Sequence, residues 1–73
     1  MKTGELIDNY DYDADGDVLY IGHASPGTPD GDSKWRIIKY FYDANKRAVR
    51  KAYAEGREIF AFSWTARATY DYR

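Results

Sequence analysis

The heptapeptide Tyr10-Asp11-Tyr12-Asp13-Ala14-Asp15-Gly16 returns later in the chain as Tyr40-Phe41-Tyr42-Asp43-Ala44-Asn45-Lys46. Both copies read Tyr-x-Tyr-Asp-Ala-Asp/Asn. The Tyr-x-Tyr part alternates as a strand end does. Asp suits the first position of a type I turn, Asp or Asn the third, and a residue with positive φ follows, which Gly16 supplies. Each copy therefore reads as a β-hairpin tip. The first joins a strand ending near Asp13 to Val18-Leu19-Tyr20-Ile21-Gly22. The second joins Trp35–Tyr42 to a strand near Val49–Ala54. Two copies are too few for a solenoid.

Asp43 to Gly56 also fits a helix over residues 44–55. Asp43 would be its N-cap, Ala44, Ala48, Ala52 and Ala54 are good helix formers, and Gly56 sits where a C-cap glycine belongs. The repeat, together with the resemblance given below, favours the hairpin and leaves α+β as the alternative fold. Between the hairpins, the segment 23–33 holds Pro26-Gly27-Thr28-Pro29-Asp30-Gly31-Asp32 and reads as a Pro/Gly loop. Further on, Glu58–Ser63 and the alternating Ala68–Tyr72 read as two more strands, with Trp64–Arg67 as the corner between them. The expectation is a single β domain over 1–73. It is all-β and antiparallel, a small sandwich or partly open barrel of five to six strands built on the two hairpins.

A chain of 73 residues makes one domain and buries only about 60% of its unfolded surface. It has no cysteine, so neither a disulfide nor a thiolate-bound metal can add stability. Partner subunits or a carboxylate-bound cation are the expected supplement. Eight tyrosines, three phenylalanines and two tryptophans suit both sheets and interfaces. No apolar run approaches the roughly 18–20 residues of a membrane span, and Met1–Tyr10 has no apolar core of signal-peptide type. Neither a membrane partner nor a leader is expected.

Charge divides the chain. Residues 1–33 hold eight acids and one base, Lys2, whereas residues 34–73 hold ten bases and four acids. The overall −1 thus hides an acidic half and a basic half. Copies of such a chain can stack with unlike halves in contact. Trp35, Tyr40, Tyr42, Trp64, Tyr70 and Tyr72 are the expected aromatic anchors of an assembly interface. Arg47, Arg50 and Lys51 would face Asp13, Asp15 and Asp17 of a neighbour.

The same residues carry the marks of other chemistries. Asp11, Asp13, Asp15 and Gly16 spell the first half of a calcium loop, with three carboxylates on alternate residues. The bidentate glutamate required at its twelfth position is Gly22 here, so a solvated acidic tip is preferred and no metal or other cofactor is expected. His23 and Ser25 near loop aspartates make no oriented nucleophile and base, so the chain reads as non-enzymatic. Lys34, Arg36, Lys39, Lys46, Arg47, Arg50 and Lys51 interleave with Trp35, Tyr40 and Tyr42. That is the pattern of a single-strand nucleic-acid binder, the second functional reading. Trp35 and Trp64 in a sugar site rank below their use as core, because the chain has few leucines.

The blocks Tyr20-Ile21-Gly22-His23-Ala24, Pro26-Gly27-Thr28, Trp35-Arg36-Ile37-Ile38-Lys39 with Tyr42-Asp43, and Phe62, Trp64 and Arg67-Ala68-Thr69-Tyr70 cover most of residues 18–72. In these blocks the chain resembles a family of short structural proteins encoded by tailed bacteriophages. The resemblance implies a virion component of tail, neck or capsid surface, present in many symmetric copies beside other virion proteins. It implies no catalytic residues.

Overall fold

A computed structural model describes residues 5–73. Five strands run in chain order: β1 (Ile7–Tyr12), β2 (Val18–Ala24), β3 (Ser33–Tyr42), β4 (Ala48–Tyr53) and the two-residue β5 (Phe62–Ser63). The first four form an antiparallel meander in the order β1-β2-β3-β4, and β5 pairs with the start of β3. The chain is all-β, as its repeat predicts. The segment 44–55 is a turn and a strand, not a helix.

The repeat extends beyond the tips. In the first hairpin Ile7 pairs with Ala24 and Asp11 with Tyr20. In the second, Ile38 pairs with Tyr53 and Phe41 with Arg50, the same register moved by thirty residues. Both hairpins carry a bulge at the same place. Tyr12 meets Val18 and Tyr42 meets Ala48, so Leu19 and Val49 are the extra residues. The turns are copies too. The Asp13 carboxylate accepts from the N–H groups of Asp15 and Asp17, at 2.9 and 3.0 Å. Asp43 accepts from Asn45 and Arg47 at the same distances. Gly16 has φ +87°, and its counterpart Lys46 takes φ +63°.

One face of the sheet is covered. Tyr20, Gly22 and Ala24 of β2, Trp35 and Ile37 of β3, and Ala52 of β4 lie on it with Ala54 just beyond, each beside its partner in register. The chain after β5 packs across these residues. Trp35 and Trp64 meet at 6.1 Å between ring centroids, Tyr20 and Tyr72 at 5.5 Å, and Phe62 and Tyr70 edge-on at 5.0 Å. Gly22 admits Trp64: a Cβ there would stand 2.5 Å from the indole Cε3. The radius of gyration is 12.7 Å, against about 11 Å for a compact globule of this length. One sheet with a cover on one side accounts for the difference.

The sheet stays open, and its covered face meets the C-terminal segment rather than a second sheet. Two strand expectations are corrected. Glu58–Ala61 is not a strand. Glu55 and Gly56, both at positive φ, turn the chain after β4, and β4 already fills most of that edge of β3. Only Ser33 and Trp35 remain to pair with Ser63 and Phe62. Ala68–Tyr72 is not a strand either. The Thr69 hydroxyl and N–H both donate to the Ala66 carbonyl, closing a 3₁₀ turn at Arg67–Thr69. The segment's end reaches the sheet only as an isolated bridge from Tyr72 to Ala54, with Asp71 and Arg73 bonded to Glu55 and Tyr53 on either side. The connection between hairpins is also shorter than 23–33, because β2 runs through Ala24 and β3 starts at Ser33.

Candidate assembly surface

Every edge of an open sheet offers unpaired backbone groups. Here the two outer strands of the meander are β1 and β4. Strand β1 carries Asp8 and Asp11 and no base, whereas β4 carries Arg50 and Lys51 and no acid. Part of the charge division of the sequence thus falls on opposite edges of one sheet, while the central β3 carries Lys34, Arg36 and Lys39.

The expected anchors fall into different environments. Trp35 is fully buried and donates its indole N–H to the Pro29 carbonyl at 3.0 Å. Trp64 is buried under the Arg67 guanidinium, 4.5 Å from the ring. Tyr70 and Tyr72 are half-buried in the cover; the Tyr70 hydroxyl accepts from the Ser63 N–H, and Tyr72 donates to the Arg67 carbonyl. These four aromatics hold the fold itself together. Tyr42 is half-buried, its hydroxyl donating to the Val18 carbonyl. Tyr40 is half-buried beside Lys51. Arg47, Arg50 and Lys51 are exposed, so of the basic set all remain accessible.

The acidic set has partners within the chain. Asp13 spends Oδ1 on its own turn. Asp15 pairs with Lys46 across the two tips at 3.1 Å. Asp11 receives Arg67 through Nε and Nη2 at 3.1 and 3.0 Å, which ties the C-terminal cover to β1. Asp17 donates its N–H to Asp13 at the tip. The calcium candidates Asp11, Asp13 and Asp15 therefore do not converge, and no group of three acidic or histidine side chains among the described residues is placed to hold a metal. Asp43 spends its carboxylate on a turn as well. The Arg47 N–H first, then its guanidinium and the Asn45 N–H, hold that carboxyl below its ordinary value.

The uncovered face carries what the sequence reasoning missed. Tyr10 and Tyr12, 50% and 55% exposed, stack at 6.5 Å between centroids. Their Tyr-x-Tyr spacing marked a strand but gave no sign of which face it presents. Asp8, His23 and Arg36 form a row across β1, β2 and β3. His23 Nε2 lies 3.6 Å from Asp8 and Nδ1 lies 3.4 Å from Arg36. Burial pushes the imidazole pKa down, and the nearby Arg36 adds to this while Asp8 opposes it. Phe60 lies over the Arg36 guanidinium at 4.9 Å. Beside it is a shallow cleft lined by Leu6, Ser25, Thr28, Lys34 and Phe60. No helix among the described residues is long and apolar enough to cross a membrane.

The basic and aromatic residues do not gather into one stacking face. Lys39 and Arg50 flank Phe41 on the covered side, whereas Arg36, Tyr40 and Lys51 alternate onto the other. Lys46 and Arg47 sit at a tip. No protein-family model matches the chain, and no curated protein or solved structure matches it.

Proposed function

We propose that this chain is a non-enzymatic structural subunit of a tailed-bacteriophage particle, in its tail, neck or capsid surface. It assembles there in symmetric copies and with other virion proteins. The observation that carries the reading is the pair of oppositely charged edge strands left open in so small a sheet. A subunit of this kind gains by adding a neighbour what its own core cannot supply. The Tyr20–Ala24, Trp35–Lys39 and Arg67–Tyr70 blocks resemble phage structural proteins and give the assembly its setting. The division of Arg36, Lys39, Arg50 and Lys51 between two faces favours this reading over a nucleic-acid-binding module.

Mass spectrometry of purified particles tests the setting, with the chain expected at a fixed high copy number. Its absence from particles that otherwise contain their structural proteins refutes it. Oligonucleotide binding with a steep salt dependence would move the assignment to the nucleic-acid module.

A further inference from the structure

The thirty-residue repeat relates strands as well as turns: β1 corresponds to β3, and β2 to β4. Within the chain, β2 joins β3 through Tyr20–Lys39, Ile21–Ile38, Gly22–Ile37 and His23–Arg36. The same step beyond β4 finds no strand, because β4 ends the meander. We infer that β4 of one copy pairs with β1 of a second copy in the register that already joins β2 to β3. This deepens the assembly reading above by naming the surfaces and their alignment.

Moving the β2–β3 register by thirty residues sets Arg50 opposite Asn9, Lys51 opposite Asp8 and Ala52 opposite Ile7 of the neighbour. Lys51 and Asp8 thus become a direct cross-strand pair of opposite charge, the arrangement that stabilises antiparallel sheets. Arg50 comes one diagonal step from Asp11. The backbone agrees. Ala54 donates to Ile37 of β3, whereas Tyr53 accepts from Arg73 and Glu55 donates to Asp71 on the outer side. By alternation Lys51, like Tyr53, directs its N–H and C=O outwards. On β1 the matching register turns Ile7 inwards and Asp8 outwards.

The available edge is short: the fourth pair of that register, Tyr53 with the neighbour's Leu6, falls where Arg73 already donates to Tyr53, so the pairing begins at Ile7 and the chain before it turns away from the edge. Residues 71–73 occupy the outer edge of β4 only at Tyr53–Glu55. A neighbour's β1, starting at Ile7, would enter opposite Ala52, just past Arg73. The two segments run in the same direction and lie end to end. The contact is head to tail, so each copy leaves one edge open for the next. Repetition gives a ring if the rotation closes and a helical array if it does not.

Sedimentation velocity of the full chain at low salt tests the pairing. Lys51→Pro removes the outward N–H while leaving the bonds to β3, a change that edge strands tolerate. It is expected to leave a folded monomer. Lys51→Asp and Asp8→Lys should each weaken self-association about tenfold. Mixing these two variants should restore it, because residue 51 of each then meets the opposite charge at residue 8 of the other. Wild-type assembly that persists unchanged in Lys51→Pro, or a mixture that stays dissociated, overturns this pairing and leaves assembly through another surface standing. A wild-type chain that remains monomeric at its highest soluble concentration overturns the pairing and the assembly reading together.

Discussion

Replacing Gly22 by Ala inserts one methyl group where the structure has no room. The new Cβ would lie 2.5 and 2.8 Å from Cε3 and Cζ3 of Trp64 and 3.1 Å from Cε3 of Trp35. Carbon atoms rest at about 3.5–4.0 Å, so the Trp64 ring must retreat by roughly 1 Å. Its surroundings resist. The Trp64 N–H donates to the Asp30 carbonyl at 2.9 Å, and Arg67, which lies over the ring, is tied to Asp11. Overpacking of this kind costs about 1–3 kcal/mol. Removing glycine from the unfolded chain returns about 0.4–1 kcal/mol. A net loss of about 1–2 kcal/mol follows, or a melting temperature lower by about 4–16 °C in a domain of this size. Urea unfolding followed by tryptophan fluorescence measures the loss, and near-UV circular dichroism reports the Trp35–Trp64 packing. The same substitution in a Trp64→Leu background should be close to neutral, since the smaller side chain leaves room for the methyl. Gly22→Ala with wild-type stability and an unchanged near-UV spectrum would refute the close approach.

Lys46→Gly should be neutral or stabilising by up to about 1 kcal/mol, because relief of the left-handed backbone outweighs the entropy of glycine and the exposed pair with Asp15; denaturant midpoints would show a clear loss if the turn were not a copy of the first. Arg67→Ala should cost about 1–2 kcal/mol through its part-exposed contacts with Asp11 and Trp64, and Asp11→Asn less, which thermal melts can compare. His23 has a folded pKa below 6.5, so the unfolded chain binds the extra proton and stability rises with pH from below that folded value to above 6.5. His23→Gln should flatten that part of a stability-versus-pH curve. Self-association should weaken as salt rises towards about 1 M, where charges are screened beyond about 3 Å, and sedimentation that is the same at both extremes would exclude a charge contribution.

Both hairpin tips were legible in the sequence because their chemistry is local. A carboxylate two residues before one N–H and four before another closes the turn by itself, at Asp13 and again at Asp43. That use of Asp13 also gives the Asp-x-Asp-x-Asp-Gly pattern a turn role of its own. The two tips, as ends of hairpins whose arms include Val18–Gly22 and Trp35–Tyr42, also placed the central strands. What followed β4 was not legible, since the length of β5 depends on how much of β3 another strand leaves free. Tyr70 and Tyr72 alternate as in a strand, yet their hydroxyls bond to Ser63 and Arg67, and no spacing rule encodes that. The candidate surface was half legible. Charge division pointed to Arg50 and Lys51 of β4, but the acids set against them, Asp13, Asp15 and Asp17, lie at the first tip and not on β1. Aromatic identity alone could not separate Trp35 and Trp64, which fill the core, from Tyr10 and Tyr12, which face water.

The C-terminal cover has a consequence for motion. Residues 64–73 hold their place largely through side chains, with backbone bonds from Trp64, Glu55 and Arg73 as the main fastenings to the rest of the chain. The ladders of β2 and β3 are continuous by comparison. Such a segment can lift as one unit at a smaller free energy than global unfolding. Amides near Thr69 would then exchange with solvent well before those of Ile21 or Ile38. A protease would nick the cover first and leave the sheet intact for a time. During each opening Tyr20, Trp35 and Ile37 lose their lid, and at high protein concentration another copy's sheet competes with the segment's own for it. An exchanged cover of this kind would lock neighbours together with contacts that salt does not dissolve.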